Sequence, residues 1–247
     1  MLVAAAVCPC PPLLVPEVAA GAAPELDAAR AACTDAIGVL AASRPDRLVV
    51  VGPAEQKDRG PHSQGTHGSF RGFGVDLDVH LGQALADDSD GADDTVAAAE
   101  RRLPVSLAVA GWLLGRTEWS AAPLEGLGVG EPLAPERCIQ VGGEIAARAD
   151  RVALLVMGDA SACRTLKAPG YLDERAAGFD ADVARALAAA DVAALKALDA
   201  ELAQELKAAG RAPWQVLAGA AEGAGLRGEL LFDDAPYGVG YLVAAWS

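Results

Sequence analysis

The stretch LVAAAVCPCPP (residues 2–12) decides how the rest of the chain is read. Leu2 to Val7 is an unbroken apolar run, and Pro9, Pro11 and Pro12 follow at once. Proline has no amide to donate, so a central strand that begins at Leu2 must stop near Cys8. From Glu25 to Ala42, the residues Leu26, Ala29, Ala32, Cys33, Ile37 and Leu40 recur at helical spacing. After Pro45-Asp46, the run Leu48-Val49-Val50-Val51 predicts a second buried strand ending at Gly52-Pro53. Strand, helix and strand with short joints predict a right-handed βαβ unit and a parallel sheet.

Farther along, Gln56 to Gly72 holds four Gly, two His and two Ser with almost no apolar residue, which predicts a long loop. Loops of this length inside a compact domain are usually functional or mobile. Phe73 to Leu81 alternates apolar and polar and predicts a half-exposed strand, and Asp87 to Asp94 is an acidic, solvated stretch. Leu103–Gly115 and Cys138–Ala149 are predicted helices, the first with Pro104 near its start, where a missing amide costs little. Arg151 to Met157 is the clearest strand of the second half. Asp180–Ala190, Val192–Ala209 and Pro213–Ala221 are predicted helices, with Asp191 placed to cap the second. Glu229–Phe232 and Val239–Trp246 are predicted strands joined by a turn at Asp233–Gly238. With no repeat and no dividing linker, residues 1–247 read as a single α/β domain: a mostly parallel central sheet flanked by helices, with antiparallel C-terminal strands.

Composition narrows the function. The 247 residues include 20 Lys+Arg against 34 Asp+Glu, a net charge of −14, with no basic cluster, which argues against a nucleic-acid partner. Apolar residues make up 52% of the chain but aromatics only 4%, and 56 residues are Ala, so the core is built from Val, Leu and Ala with close helix approaches. There is no charged start before the first apolar run and no run of about 18 apolar residues, so the expectation is a cytoplasmic protein with no membrane partner. Five cysteines at irregular spacing (Cys8, Cys10, Cys33, Cys138, Cys163) make a poor disulfide framework. The expected partner is a small aromatic or polar molecule, with a homodimer through the Ala-rich helices of Asp180–Ala209 as a further expectation.

Ligands of open parallel sheets collect at the carboxyl ends of the strands. Three such ends carry chemistry: Cys8-Pro9-Cys10, Gly52-Pro53-Ala54-Glu55 with the loop behind it, and Gly158-Asp159-Ala160-Ser161. Asp159 and Ser161 are the candidate catalytic residues, and Glu55, Arg164, Lys167 and Tyr171 the candidate binding residues. Cys10, His62 and His67 are the candidate metal ligands, since imidazoles on a Gly-rich loop can fold over an ion at the strand ends. Solvated histidines and a partly exposed thiol at Cys10 are the plainer reading of the same residues. Ser161 lacks the Gly-x-Ser-x-Gly elbow and has no His after it, which excludes a Ser-acid-His hydrolase. A Walker phosphate loop is also missing.

The opening from Ala4 to Glu17 resembles the start of the class III extradiol ring-cleavage dioxygenases, catalytic subunits of the protocatechuate 4,5-dioxygenase beta type, whose first strand runs into His-Pro-Pro. The stretches 44–52, 156–161 and 213–220 fall in the order this family would place them. The resemblance implies an α/β domain with Fe(II) held by two His and one Glu, and a further His as acid/base. It places the first ligand at Cys10, the second near Ala54-Glu55, the acid/base near Ser161-Ala162 and the Glu at Arg211-Ala212. None of these is the family residue. The related Memo-like branch uses a Cys among its ligands, and zinc is a further expectation for a thiol site. Two readings follow: a descendant without metal that binds a small molecule or partner in the former cleft, or an active metal-dependent oxidoreductase on catechol-type substrates using Cys10. A general acid/base enzyme built on Asp159 and the Ser161–Arg164 patch is a third.

Overall fold

A computed structural model describes residues 1–83 and 102–247, so the acidic stretch Asp87–Asp94 lies outside the described residues. The first strand, β1 (Leu2–Cys8), stops where the prolines require, and a short helix α1 (Pro16–Ala19) leads into α2 (Asp27–Ala42). Then come β2 (Arg47–Pro53), β3 (Gly60–Ser63), β4 (His67–Ser69), β5 (Asp78–His80) and α3 (Val105–Arg116). The middle of the chain adds β6 (Leu124–Val129), α4 (Pro135–Ala146) and β7 (Val152–Met157). Helices α5 (Ala176–Ala189), α6 (Val192–Lys196), α7 (Ala200–Glu205) and α8 (Arg211–Ala220) precede the strands β8 (Gly228–Asp234) and β9 (Tyr241–Trp246).

The strand order is β3-β6-β2-β7-β1-β9-β8. The inner four, β6, β2, β7 and β1, run parallel, while β3, β9 and β8 are antiparallel to their neighbours. Side chains alternate across a strand, so Leu48 and Val50 face one side and Val49 and Val51 the other. One face is covered by α2 and α3 through Cys33, Ile37, Leu40 and Leu107; the other by α4, α5 and α8 through Ile145, Val183, Trp214 and Leu217. Both faces are buried and apolar, as the continuous apolar runs of the parallel strands require. The expected α/β domain with a mostly parallel sheet and antiparallel C-terminal strands is what forms.

Five local expectations differ, the first being that the predicted loop Gln56–Gly72 contains the strands β3 and β4. β1 and β2 are not neighbours, because β7 inserts between them. β6 was not expected, since Leu-Glu-Gly-Leu-Gly-Val has weak strand propensity. Its glycines are needed: a Cβ on Gly126 would lie 2.7 Å from Leu81 Cδ2, and one on Gly128 2.6 Å from the Asp58 carbonyl. The predicted strand Phe73–Leu81 shrinks to Asp78–His80, because Gly74 turns the chain through φ 81° and Phe70 takes the core position while Phe73 stays exposed. The predicted helix Val192–Ala209 is two helices, each capped by an aspartate: Asp191 accepts from the Ala194 amide, and Asp199 from those of Glu201 and Leu202. No helix among the described residues is long and apolar enough to cross a membrane.

Candidate functional site

The carboxyl ends of β1, β2, β6 and β7 open on one side of the sheet, because the four strands are parallel and in register. Past the end of β1 the chain bends through Pro9, and the Cys10 amide donates to Oδ1 of Asp159 at 2.8 Å. The Gly158 amide donates to the Cys8 carbonyl at 3.0 Å, and the Gly210 amide donates to the Asp159 carbonyl at 2.8 Å. Gly158 has no room for a side chain because Gly210 lies directly on it. Asp159 is thereby held from three sides.

Electrostatics single out the same place. Burial pushes the Asp159 carboxyl up to about 7, against the pull of the Cys10 amide. Glu131, just past β6, is pushed by burial up to about 8, against the pull of Arg211. The Cys10 thiol is raised by burial and by the charges of Asp159 and Glu131, so it stays protonated near neutrality. The Tyr241 hydroxyl is raised by burial and by Asp159. Asp159 and Glu131 thus act on Cys10, and Asp159 and Cys10 on Tyr241, among groups buried near the strand tips.

Beside them a cavity of about 530 Å³ has Glu131 on its wall and Glu55, Lys57, Asp58, Arg59 and Arg102 around it. Arg59 lies over Gly130, where any side chain would collide with its guanidinium. One oxygen of Glu131, Oε1, is buried without a hydrogen-bond partner among the described residues.

The sequence candidates divide into two groups. Cys10 and Asp159 meet at the strand tips, and Glu55 reaches the cavity rim, solvent-exposed and 3.7 Å from Lys57. The others sit elsewhere. His62 is buried on β3, its Nε2 2.9 Å from the Asp58 carbonyl. His67 lies on β4, 3.4 Å from Asp78 and ring-to-edge with His80. Ser161 is fully buried, and its amide and hydroxyl both donate to Asp180, at 2.8 and 2.9 Å. Arg164 donates to the same carboxylate at 2.9 Å, so both are committed to a structural clamp. Lys167 and Tyr171 are exposed on the loop after β7. Sequence reasoning did not single out Glu131 or Tyr241; Glu131 follows the unrecognised strand β6, so nothing marked it as a strand-end carboxyl.

The iron site implied by the resemblance does not fit these residues. Among the described residues no three His, Cys, Asp or Glu side chains cluster so as to hold a metal ion, and Cys10, His62 and His67 stand on separate elements. At the four positions carried over from the family stand a protonated thiol, an alanine followed by an exposed glutamate, a serine bound to Asp180, and a cation. A facial triad needs two imidazoles and a carboxylate on one side of the ion.

No family model matches the chain, and no curated protein matches it. A crystal structure of an uncharacterized protein of Escherichia coli K12, JW3007, is similar in fold, with a TM-score of 0.53 at 16% identity over 99% of each chain. At that identity the likeness concerns the fold alone.

Proposed function

We propose that this chain is an extradiol-dioxygenase-like protein whose strand-tip cleft binds a small polar molecule through hydrogen bonds in place of an iron centre. The observation that carries this reading is Glu131 on the cavity wall with Oε1 buried and unpartnered among the described residues, near Asp159 and Cys10 at the strand tips, where burial raises the carboxyls to about 8 and about 7. A neutral carboxyl donates a hydrogen bond where a carboxylate only accepts, and in a dry pocket that bond is strong. The rim sets Lys57, Arg59 and Arg102 against Glu55 and Asp58, so it offers partners of both signs to a polar ligand.

Thermal-shift and calorimetric titration with a panel of phenols, catechols, amides and small carboxylic acids tests the reading. Binding is expected for at least one class and is expected to weaken about tenfold in Glu131→Ala, the loss of one good hydrogen bond. Stoichiometric Fe(II) uptake with catechol-dependent oxygen consumption, lost in Cys10→Ser, would instead establish the metal-dependent oxidoreductase. A second reading has support in the same two carboxyls: groups that titrate near neutrality suit proton transfer to and from a bound molecule. In that case turnover would follow a bell-shaped pH profile with limbs near 7 and 8.

A further inference from the structure

The ribbon formed by β4 and β5 carries side chains that the cleft does not use. His67 pairs with His80, Gly68 with Val79 and Ser69 with Asp78. Side chains alternate along a strand, so Gly68 and Val79 share one face and His67, Ser69, Asp78 and His80 the other. The first face is pressed onto α3. A Cβ on Gly68 would lie 3.0 Å from that of Ala108, and one on Gly111 would lie 2.7 Å from the His80 carbonyl. Backbone bonds pin the ribbon beside the histidines: the Leu103 amide donates to the His67 carbonyl at 2.9 Å, and the Leu81 amide to the Thr66 carbonyl at 3.0 Å. The second face is thereby held toward solvent, with His67 partly exposed and His80 exposed.

The two imidazoles face one another there. Their rings stand edge to face at 71°, with centroids 5.5 Å apart. His67 turns Nε2 to Asp78, 3.4 Å from Oδ1, which leaves Nδ1 for another partner. Among the described residues nothing hydrogen-bonds a ring nitrogen of His80. Asp76 and Asp78 both pair with Arg71, so one cation meets two carboxylates and the face keeps a surplus of negative charge. A zinc–nitrogen bond is about 2.0–2.1 Å, and an imidazole centroid lies about 1.2 Å behind its nitrogen. Two imidazoles on one tetrahedral ion therefore have centroids about 5.4 Å apart, close to the spacing of this pair.

We propose that His67 and His80 chelate one divalent zinc, copper or nickel ion on the outer face of this ribbon, with water completing its coordination and Asp78 orienting His67. Imidazole suits these ions, whereas magnesium and calcium require oxygen ligands. A carboxylate bonded to the second nitrogen of a ligating imidazole fixes its ring and tautomer. The site has two protein ligands and calls on no third His, Cys, Asp or Glu, so its ion exchanges with solvent. It shares no residue with the cleft of Asp159 and Glu131. The sequence reading grouped His67 with Cys10 and His62; the register of the ribbon pairs it with His80 instead.

The test titrates the full chain, ¹⁵N-labelled at its histidines, with zinc chloride and separately with magnesium chloride. The chain has three histidines, and the imidazole signals of His67 and His80 are assigned by their loss in His67→Gln and His80→Gln. Zinc is expected to move both along one saturation curve, half complete below about 1 mM, while His62 stays unmoved and magnesium has no effect. Each Gln variant is expected to weaken zinc at the remaining histidine at least about tenfold, because the chelate is gone. Asp78→Asn is expected to weaken zinc about tenfold and to change the His67 tautomer that the ¹⁵N shifts report. Separate curves for the two histidines, or a curve that survives loss of the other imidazole, would overturn the chelate. Movement of His62 alone, an equal response to magnesium, or no movement up to about 1 mM would overturn the site. Unchanged zinc affinity and tautomer in Asp78→Asn would overturn the orienting role of Asp78.

Discussion

The amide of Cys10 donates to Oδ1 of Asp159 at 2.8 Å across 149 positions of sequence, tying the end of β1 to the end of β7. The bond fixes which face of the carboxyl remains for other partners. It also draws the Asp159 carboxyl toward ionisation, yet burial outweighs that pull and holds the group near 7. The two effects oppose, and desolvation wins.

Stability should therefore fall as pH rises. An aspartate in the unfolded chain titrates near 4, so between about 4 and about 7 the native state binds more protons than the unfolded state. Where the native state holds the extra proton, raising pH weakens it. Glu131 extends the slope to about 8. Asp159→Asn keeps an oxygen for the Cys10 amide and removes the ionisation. Relative to wild type it should gain on the order of 2 kcal/mol between pH 5 and pH 8, read by urea unfolding at each pH. An unchanged slope would mean that Asp159 ionises freely.

All five cysteines are buried as free thiols, and Cys10 is held protonated by burial and two acidic neighbours. At pH 7 alkylation of the native protein should be at least about tenfold slower than that of an exposed thiol, with all five labelled after unfolding. Rapid labelling of Cys10 in the native protein would show an activated thiolate and refute its assignment as a neutral neighbour of Asp159.

Asp180 gathers the Ser161 amide, the Ser161 hydroxyl and Arg164, and almost no water reaches it. Asp180→Ala leaves all three donors without an acceptor and should cost about 3 kcal/mol in chemical denaturation. Ser161→Ala removes one donor from a carboxylate that keeps two, and should cost about 1 kcal/mol. Loss of ligand binding in Ser161→Ala at unchanged stability would return Ser161 to the functional site.

Helices α4 and α8 cross at Gly142 and Gly219, where an added Cβ would strike the carbonyls of Val216 and Ile139. Backbone cannot yield as a side-chain tip can. Gly142→Ala and Gly219→Ala should each destabilise by about 2 kcal/mol or more. Gly143→Ala, with open space around it, should be neutral or slightly stabilising through helix propensity. A thermal melt of the three variants checks the contrast.

Much of this architecture was readable from residue order. Prolines ended β1, apolar runs marked β2 and β7, 3.6-residue spacing marked the long helices, and an alanine-rich composition anticipated the close helix crossing. β6 escaped because its glycines are there to admit Leu81 and the Asp58 carbonyl, neighbours that no local window contains. The predicted metal candidates were chosen by residue type. Their placement just past β1, on β3 and on β4 depended on strand order, which local pattern does not encode.

The amino-acid order alone determined the elements, the layered class and the identity of Cys10 and Asp159 as strand-end residues, because periodicity and proline chemistry act over a few positions. Only the folded chain decided that Glu131 and Arg211 stand behind them, joined across 80 positions, and that Ser161 turns away to Asp180. It also decided which groups keep their protons. Desolvation depends on every atom packed around a carboxyl, and those atoms come from all over the chain.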